Sequence, residues 1–229
     1  MIQPALETTI GRTLEEVGGV EWELGPKNDL GQVIQMTGLL RNKSRGEVLP
    51  VTFLHPKEWN GRTVIRVTTS GKAGLYAANG ELAPEVRKDV EAGTTVVGVD
   101  LFDQGEFLAD GRAPERTRKV KNPREAAAYT FGYNPTVFQM RVHDVLTVVS
   151  FVKHHEKASK EIRLAAAPGA EPWVACARAV CGSAVQGVDA AATSFRFASV
   201  RDIHSPDFVP GGAKYLDPFV LEASGVPNR

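Results

Sequence analysis

The chain has 229 residues, 42% hydrophobic and 24% charged, with 27 Lys+Arg against 27 Asp+Glu and a formal net charge of +0. That length favours one large domain with its own core, and no metal or disulfide staple is required at this size. The charge balance excludes the basic excess of a dedicated nucleic-acid or anionic-membrane binder, and no apolar run reaches the roughly 20 residues that cross a bilayer.

In chain order, residues 1–30 read as an N-terminal extension: a short helix, then a polar turn at Gly25-Pro26-Lys27-Asn28-Asp29. The start has neither a basic n-region nor an apolar h-region, so no signal peptide is expected and a complete chain would be cytoplasmic. Gln32–Leu40 and Val48–Leu54 flank the turn-forming residues 42–46 and predict an antiparallel hairpin. Thr63–Thr69 is β-branched, and Glu81–Ala92 is helical, with Pro84 near its start and Gly93 as its stop. Thr94–Leu101 is a nearly continuous apolar run, the pattern of a strand covered on both faces.

A polar stretch over 102–134 follows, longer than an ordinary connector, and reads as an insert loop. Asn134-Pro135 is expected to open a long helix, with Asn134 as the cap. Phe138, Val142, Val145, Val149 and Val152 recur every three or four residues and make one apolar face. Glu161–Ala167 predicts a strand, Gly169–Val180 a helix and Val185–Phe197 a further strand. Cys176 and Cys181 fall about 140° apart on that helix, which predicts buried free thiols in place of a disulfide. From Val48 onward strand and helix alternate, so the fold class is α/β: one domain over 1–229, a three-layer sandwich with a mostly parallel sheet and antiparallel strands at its N-terminal edge.

Sites in such sheets form beyond the carboxyl ends of the strands. Three ends therefore matter: Thr68-Thr69-Ser70-Gly71-Lys72, Asp100 to Glu106, and Ala166-Ala167-Pro168-Gly169-Ala170. Asp100 and Asp103 are the strand-end acids, and the alternative role for Asp100 is to order its own loop by accepting backbone N–H groups. Ser70-Gly71-Lys72 lacks the glycine and the Ser or Thr of a phosphate loop.

The segments Leu49–Ile65, Ser70–Leu75, Val96–Phe107, Phe131–Leu146 and Pro210–Asp217, in this order, resemble the acetyl-xylan-esterase-like α/β-hydrolases. The resemblance implies hydrolysis of acyl esters on polysaccharides by a serine esterase without cofactor or metal, with an acylated polysaccharide or a small ester as partner. It also implies an oxyanion loop at Ser70 and Gly71. Such an enzyme carries a nucleophile on a sharp strand-to-helix turn, a His base and an acid to orient it. The pattern places Pro168, followed by Gly169, at the nucleophile position, and proline has no nucleophilic group. The family's later strands, with the acid and His, have no counterpart before Arg229. The alternative implied is a catalytically inactive module that binds glycan or a partner domain, with a partner or a second copy covering an exposed sheet edge.

Other candidates have plainer readings. His204 with Asp202 or Asp207 is a displaced base and orienter or a solvated surface group. His143 and Asp144 diverge by about 100° on a helix, while Arg141 and Asp144 pair on one face. His154-His155-Glu156 lacks the spacing of a zinc helix. The basic residues Arg112, Arg116, Arg118, Lys119, Lys121 and Arg124 are interleaved with acids and read as a solvated loop. Trp22, Trp59 and Trp173 are scattered and define no aromatic platform.

Overall fold

A computed structural model describes residues 2–110, 113–117, 130–217 and 220. The centre is a seven-stranded sheet in the order β1-β2-β3-β5-β4-β6-β7. Its strands are β1 (Glu21–Asp29), β2 (Val33–Asn42), β3 (Glu47–Pro56), β4 (Arg62–Val67), β5 (Thr95–Val99), β6 (Glu161–Ala166) and β7 (Gly187–Asp189). β1, β2, β3 and β5 pair antiparallel in turn, whereas β5–β4, β4–β6 and β6–β7 are parallel. Five strands (β2, β4, β5, β6 and β7) thus run one way, and the antiparallel partners gather at the N-terminal edge.

Side-chain alternation splits the core in two. Val51, Phe53, Ile65, Val67, Val97 and Val99 face one layer of helices: α1 (Ile2–Ile10), α3 (Val137–His154) and α4 (Glu171–Cys181). Leu54 and Val96 point the other way, against Val86 and Val90 of α2 (Pro84–Glu91). Every residue of β5 is buried, as its unbroken apolar run requires. Cys176 and Cys181 are buried free thiols, and burial pushes Cys181 up to about 12 and raises Cys176 as well.

The structure corrects the sequence reading in three places. The polar turn expected at Gly25–Asp29 belongs to β1, an edge strand that tolerates Pro26 because a register shift between Leu24 and Lys27 interrupts its ladder. The long helix starts two residues later than expected, and its cap is Thr136, not Asn134. The Gln139 N–H donates to Thr136 Oγ1, while the Thr136 N–H donates to Gln139 Oε1, a reciprocal capping box. Of the strand expected over Val185–Phe197 only Gly187–Asp189 pairs with the sheet, and Phe197–Ser199 forms a 3-10 turn.

The first thirty residues also enter the core: Leu6, Ile10, Leu14 and Val17 are buried in the main cluster. They lie against a second face of α3, where His143 meets the Ile10 carbonyl and Ser150 the Gly18 carbonyl, so both are buried beside the predicted apolar stripe. Among the described residues no helix is long and apolar enough to cross a membrane.

Candidate active site

After β4 the chain adds β5 on one side and later β6 on the other, so the loops leaving these strands diverge at their carboxyl ends. That is the switch point where open α/β sheets form a crevice. Thr68–Lys72, Asp100–Glu106 and Ala166–Ala170 all meet there, as the spacing of strands and loops predicts.

Asp100, 1% exposed, ties two of these loops together. The Lys72 N–H donates to its Oδ1 at 2.8 Å and the Glu106 N–H to its Oδ2 at 3.0 Å, with Lys72 Nζ 3.3 Å away. Lys72 also pairs with Glu106. This packing demands glycine on both sides: a Cβ at Gly71 or at Gly105 would lie 2.2 Å from the Asp100 carboxylate, and both residues have positive φ, 64° and 48°. Gln104, buried, completes the link, its Nε2 donating to the Thr68 and Thr69 carbonyls and its Oε1 accepting the Leu101 N–H. Asp103, between them, sits at φ 57°, a left-handed conformation that non-glycine residues seldom adopt. Ser70 is exposed, and its N–H donates to Thr68 Oγ1 at 3.2 Å.

The third loop carries the turn that the resemblance places at the nucleophile position. Pro168 and Gly169 are exposed at its tip. The Ala167 N–H donates to the Val67 carbonyl and the Ala170 N–H to the Ala167 carbonyl, both at 2.9 Å, which fixes the turn against the end of β4. The Gly169 N–H is the group that would stabilise an oxyanion in a hydrolase turn, being the one after the nucleophile. Here it donates to Glu171 Oε2 at 2.7 Å. Glu171, at the start of α4, is itself buried.

Behind the three loops, α3 and α4 present a buried polar row. The Phe102 N–H donates to Asp144 Oδ2 at 2.6 Å and Arg141 Nε donates to the Phe102 carbonyl at 3.1 Å. The pairing of Arg141 with Asp144 expected from their spacing is therefore indirect: each holds one side of the same peptide. Burial raises Asp144 well above the usual carboxylate range, and the Arg141 charge opposes this only weakly. Burial also lowers Arg141, against the attraction of Asp207, Asp103 and Asp144. Arg141 stacks over the Trp173 ring at 4.7 Å, and Trp173 Nε1 donates to Asp207 Oδ1 at 3.4 Å. Burial raises Asp207 too.

The structure thus brings Ser70, Gly71, Asp100, Asp103, Pro168 and Gly169 to one end of the sheet. It directs the α3 histidines elsewhere. His143 Nε2 donates to the Ile10 carbonyl at 2.7 Å, facing away from Asp144. His154 and His155 lie at the far end of α3. His204 is buried, its N–H donating to Asp202 Oδ1, while Asp202 pairs with Arg116. Arg112, Arg118, Lys119, Lys121 and Arg124 lie outside the described residues. Among the described residues no group of three or more His, Cys, Asp or Glu is placed to hold a metal ion. Sequence reasoning missed Gln104, Glu171 as partner of Gly169, and the Arg141–Trp173–Asp207 row. A proline followed by a helix-starting Glu is the one local signal of the second, and the others depend on contacts between distant segments.

No family model matches the chain, and no curated protein matches it by sequence. Solved structures do. A proposed acetyl xylan esterase from Bacteroides fragilis matches with TM-score 0.66 and 11% identity over 97% of this chain and 64% of its own. A glucuronoyl esterase from Solibacter usitatus matches at 0.60 and 8%, over 97% and 71%. Acetyl xylan esterase 1 from Thermoanaerobacterium matches at 0.54 and 16%, over 80% and 56%. The chain therefore has an α/β-hydrolase-like fold of the acetyl-xylan-esterase kind, and it spans 56% and 64% of the length of these two acetyl xylan esterases.

Proposed function

We propose that this chain is a hydrolase-fold module that recognises an acylated polysaccharide and does not cleave esters at the β6 turn. The observation that carries this reading is the turn itself: Pro168 stands where the resemblance expects the nucleophile, and the Gly169 N–H is taken by Glu171. A tetrahedral oxyanion needs donors that are free and aimed at it; losing one such donor costs about 10²–10³ in rate. Here an acidic side chain stands where the developing negative charge would go. The choice of polysaccharide rests on the names of the structural neighbours, which are acetyl xylan and glucuronoyl esterases.

The decisive measurement has two arms. The purified chain is incubated with acetylated xylan and with p-nitrophenyl acetate, alongside a serine-directed fluorophosphonate. Release at the buffer rate and no label are expected, together with retardation in an acetylated-xylan affinity gel. Stoichiometric serine labelling or a burst of acetate would overturn the reading. Pro168→Ser is expected to gain no esterase activity, because Glu171 still occupies the oxyanion donor.

The second reading is ester hydrolysis by a longer protein of which this fold is part. It is favoured by the esterase neighbours and by the share of their length that the chain spans. It requires a nucleophile that the β6 turn lacks.

A further inference from the structure

The opposite ends of the same strands carry a different kind of site. Beside Thr63 of β4, Thr95 of β5 and Ser159 ahead of β6 lies a pocket of about 330 Å³. β4 alone, six residues at about 3.3 Å each, separates it from the β6 turn by roughly 20 Å. Two tryptophans that looked scattered in the sequence, Trp22 and Trp59, both line it.

Its walls are aromatic. Trp22 meets Phe53 edge-on with ring centroids 5.2 Å apart, and Phe151 closes the group at 5.8 Å from Phe53 and 6.2 Å from Trp22. Trp59 lines the pocket beside His55, with their rings 5.6 Å apart. The polar groups of the floor are already engaged with one another: His55 Nδ1 with Thr95 Oγ1 at 2.8 Å, and Thr63 Oγ1 with Ser159 Oγ at 2.6 Å. A polyol would find few free partners there. The mouth is cationic. Lys27 and Lys157 both line it and have no ion-pair partner among the described residues, whereas nearby Lys57 is tied to Asp29 at 2.8 Å. One acid, Glu156, shares the rim.

We propose that this pocket binds a small monocarboxylate bearing an aromatic ring, the ring held among Trp22, Phe151 and Trp59 and the carboxylate at Lys157 and Lys27. The volume lies within the range of small-molecule sites. Aromatic pairs favour offset or edge-on packing, which these walls offer, and a carboxylate gains a charge-assisted bond from a lysine that has no competing partner. This inference is independent of the polysaccharide reading.

The test titrates the whole chain with 3-phenylpropionate, with its neutral analogue 3-phenyl-1-propanol, and with xylotriose, followed by tryptophan fluorescence and calorimetry. Saturable binding of 3-phenylpropionate is expected with Kd of about 0.1–1 mM. The alcohol should bind about tenfold more weakly. Lys157→Gln, a substitution on an exposed side chain, should weaken the acid by about fivefold and leave the alcohol unchanged. Trp59→Ala should weaken both. Equal affinity for acid and alcohol, no change in Lys157→Gln, no saturable binding, or tighter binding of xylotriose than of the acid would each overturn the proposal.

Discussion

At the carboxyl ends of the parallel strands the loops are locked by their own polar groups, whereas at the amino ends aromatic rings and lysines without an ion pair among the described residues face a cavity. Asp100 shows the first condition: it is buried, accepts two backbone N–H groups, and is enclosed by two glycines. Lys157 shows the second, exposed at a pocket mouth with no ion pair among the described residues. The hydrolase-like end has the frame of a reactive site but spends its donors internally, down to the Gly169 N–H. The other end has no such frame and leaves surface free for a ligand. The two ends of one sheet thus differ in which polar groups they leave free.

If that contrast holds, substitutions at the locked end should cost stability and those at the open end should not. The largest effect is expected for Gly105→Ala, whose methyl would have to displace the Asp100 carboxylate from a left-handed backbone position. A loss of about 3 kcal/mol or more is expected from the denaturant midpoint. A loss under about 1 kcal/mol would show that the loop yields and that the cage around Asp100 is soft.

The next effect is one of pH and concerns α3, which backs the locked end. Burial, aided by the Arg12 charge, lowers His143 from 6.5 to about 4. Its folded pKa therefore lies below its unfolded one, so the unfolded chain binds more protons between these values. Stability must fall as pH drops from about 6.5 to about 4, by on the order of 3 kcal/mol from this group. Asp144 acts in the opposite sense: with its folded pKa raised, its burial penalty grows as pH rises above the unfolded carboxylate value and levels off at the folded one. Urea melts of the parent and of His143→Gln across this range separate the two, because the difference between the curves isolates the histidine. Parallel curves would sink the assignment.

Thr136→Ala removes one half of the capping box that starts α3 at the locked end and should cost about 1 kcal/mol, read as a shift in Tm. The smallest effect is expected at the open end. Lys157→Gln should move stability by less than about 0.5 kcal/mol while weakening the aromatic carboxylate. A large stability loss there would mean the lysine is structural, and the contrast between the two ends would collapse.

Much of this was legible along the chain. The apolar run of β5, the hairpin of β2 and β3, and the stripe from Phe138 to Val152 follow from periodicity, because burial on one or both faces selects residue type at a fixed spacing. Pro168 at the β6 turn was equally visible, since the departure from a nucleophile is a matter of one residue. β1 was missed because its side chains are nearly all exposed and give no alternation. Thr136 was missed as the cap because Asn134-Pro135 carries the stronger local signal, and the reciprocal bond with Gln139 decided the start.

The sequence by itself determined the order of strands and helices from β2 to α4, the three loops at one end of the sheet, and the absence of a serine or cysteine at the β6 turn. These depend on residue type and on contacts close along the chain. Only the tertiary structure decided which donors are spent and which surfaces are free: Gly71 and Gly105 closing on Asp100, Arg141 over Trp173, and Trp22 beside Phe53 and Phe151. Apart from Gly105 with Asp100, these pairs join residues more than twenty positions apart. Their meeting is set by sheet order and helix packing, which no local pattern records.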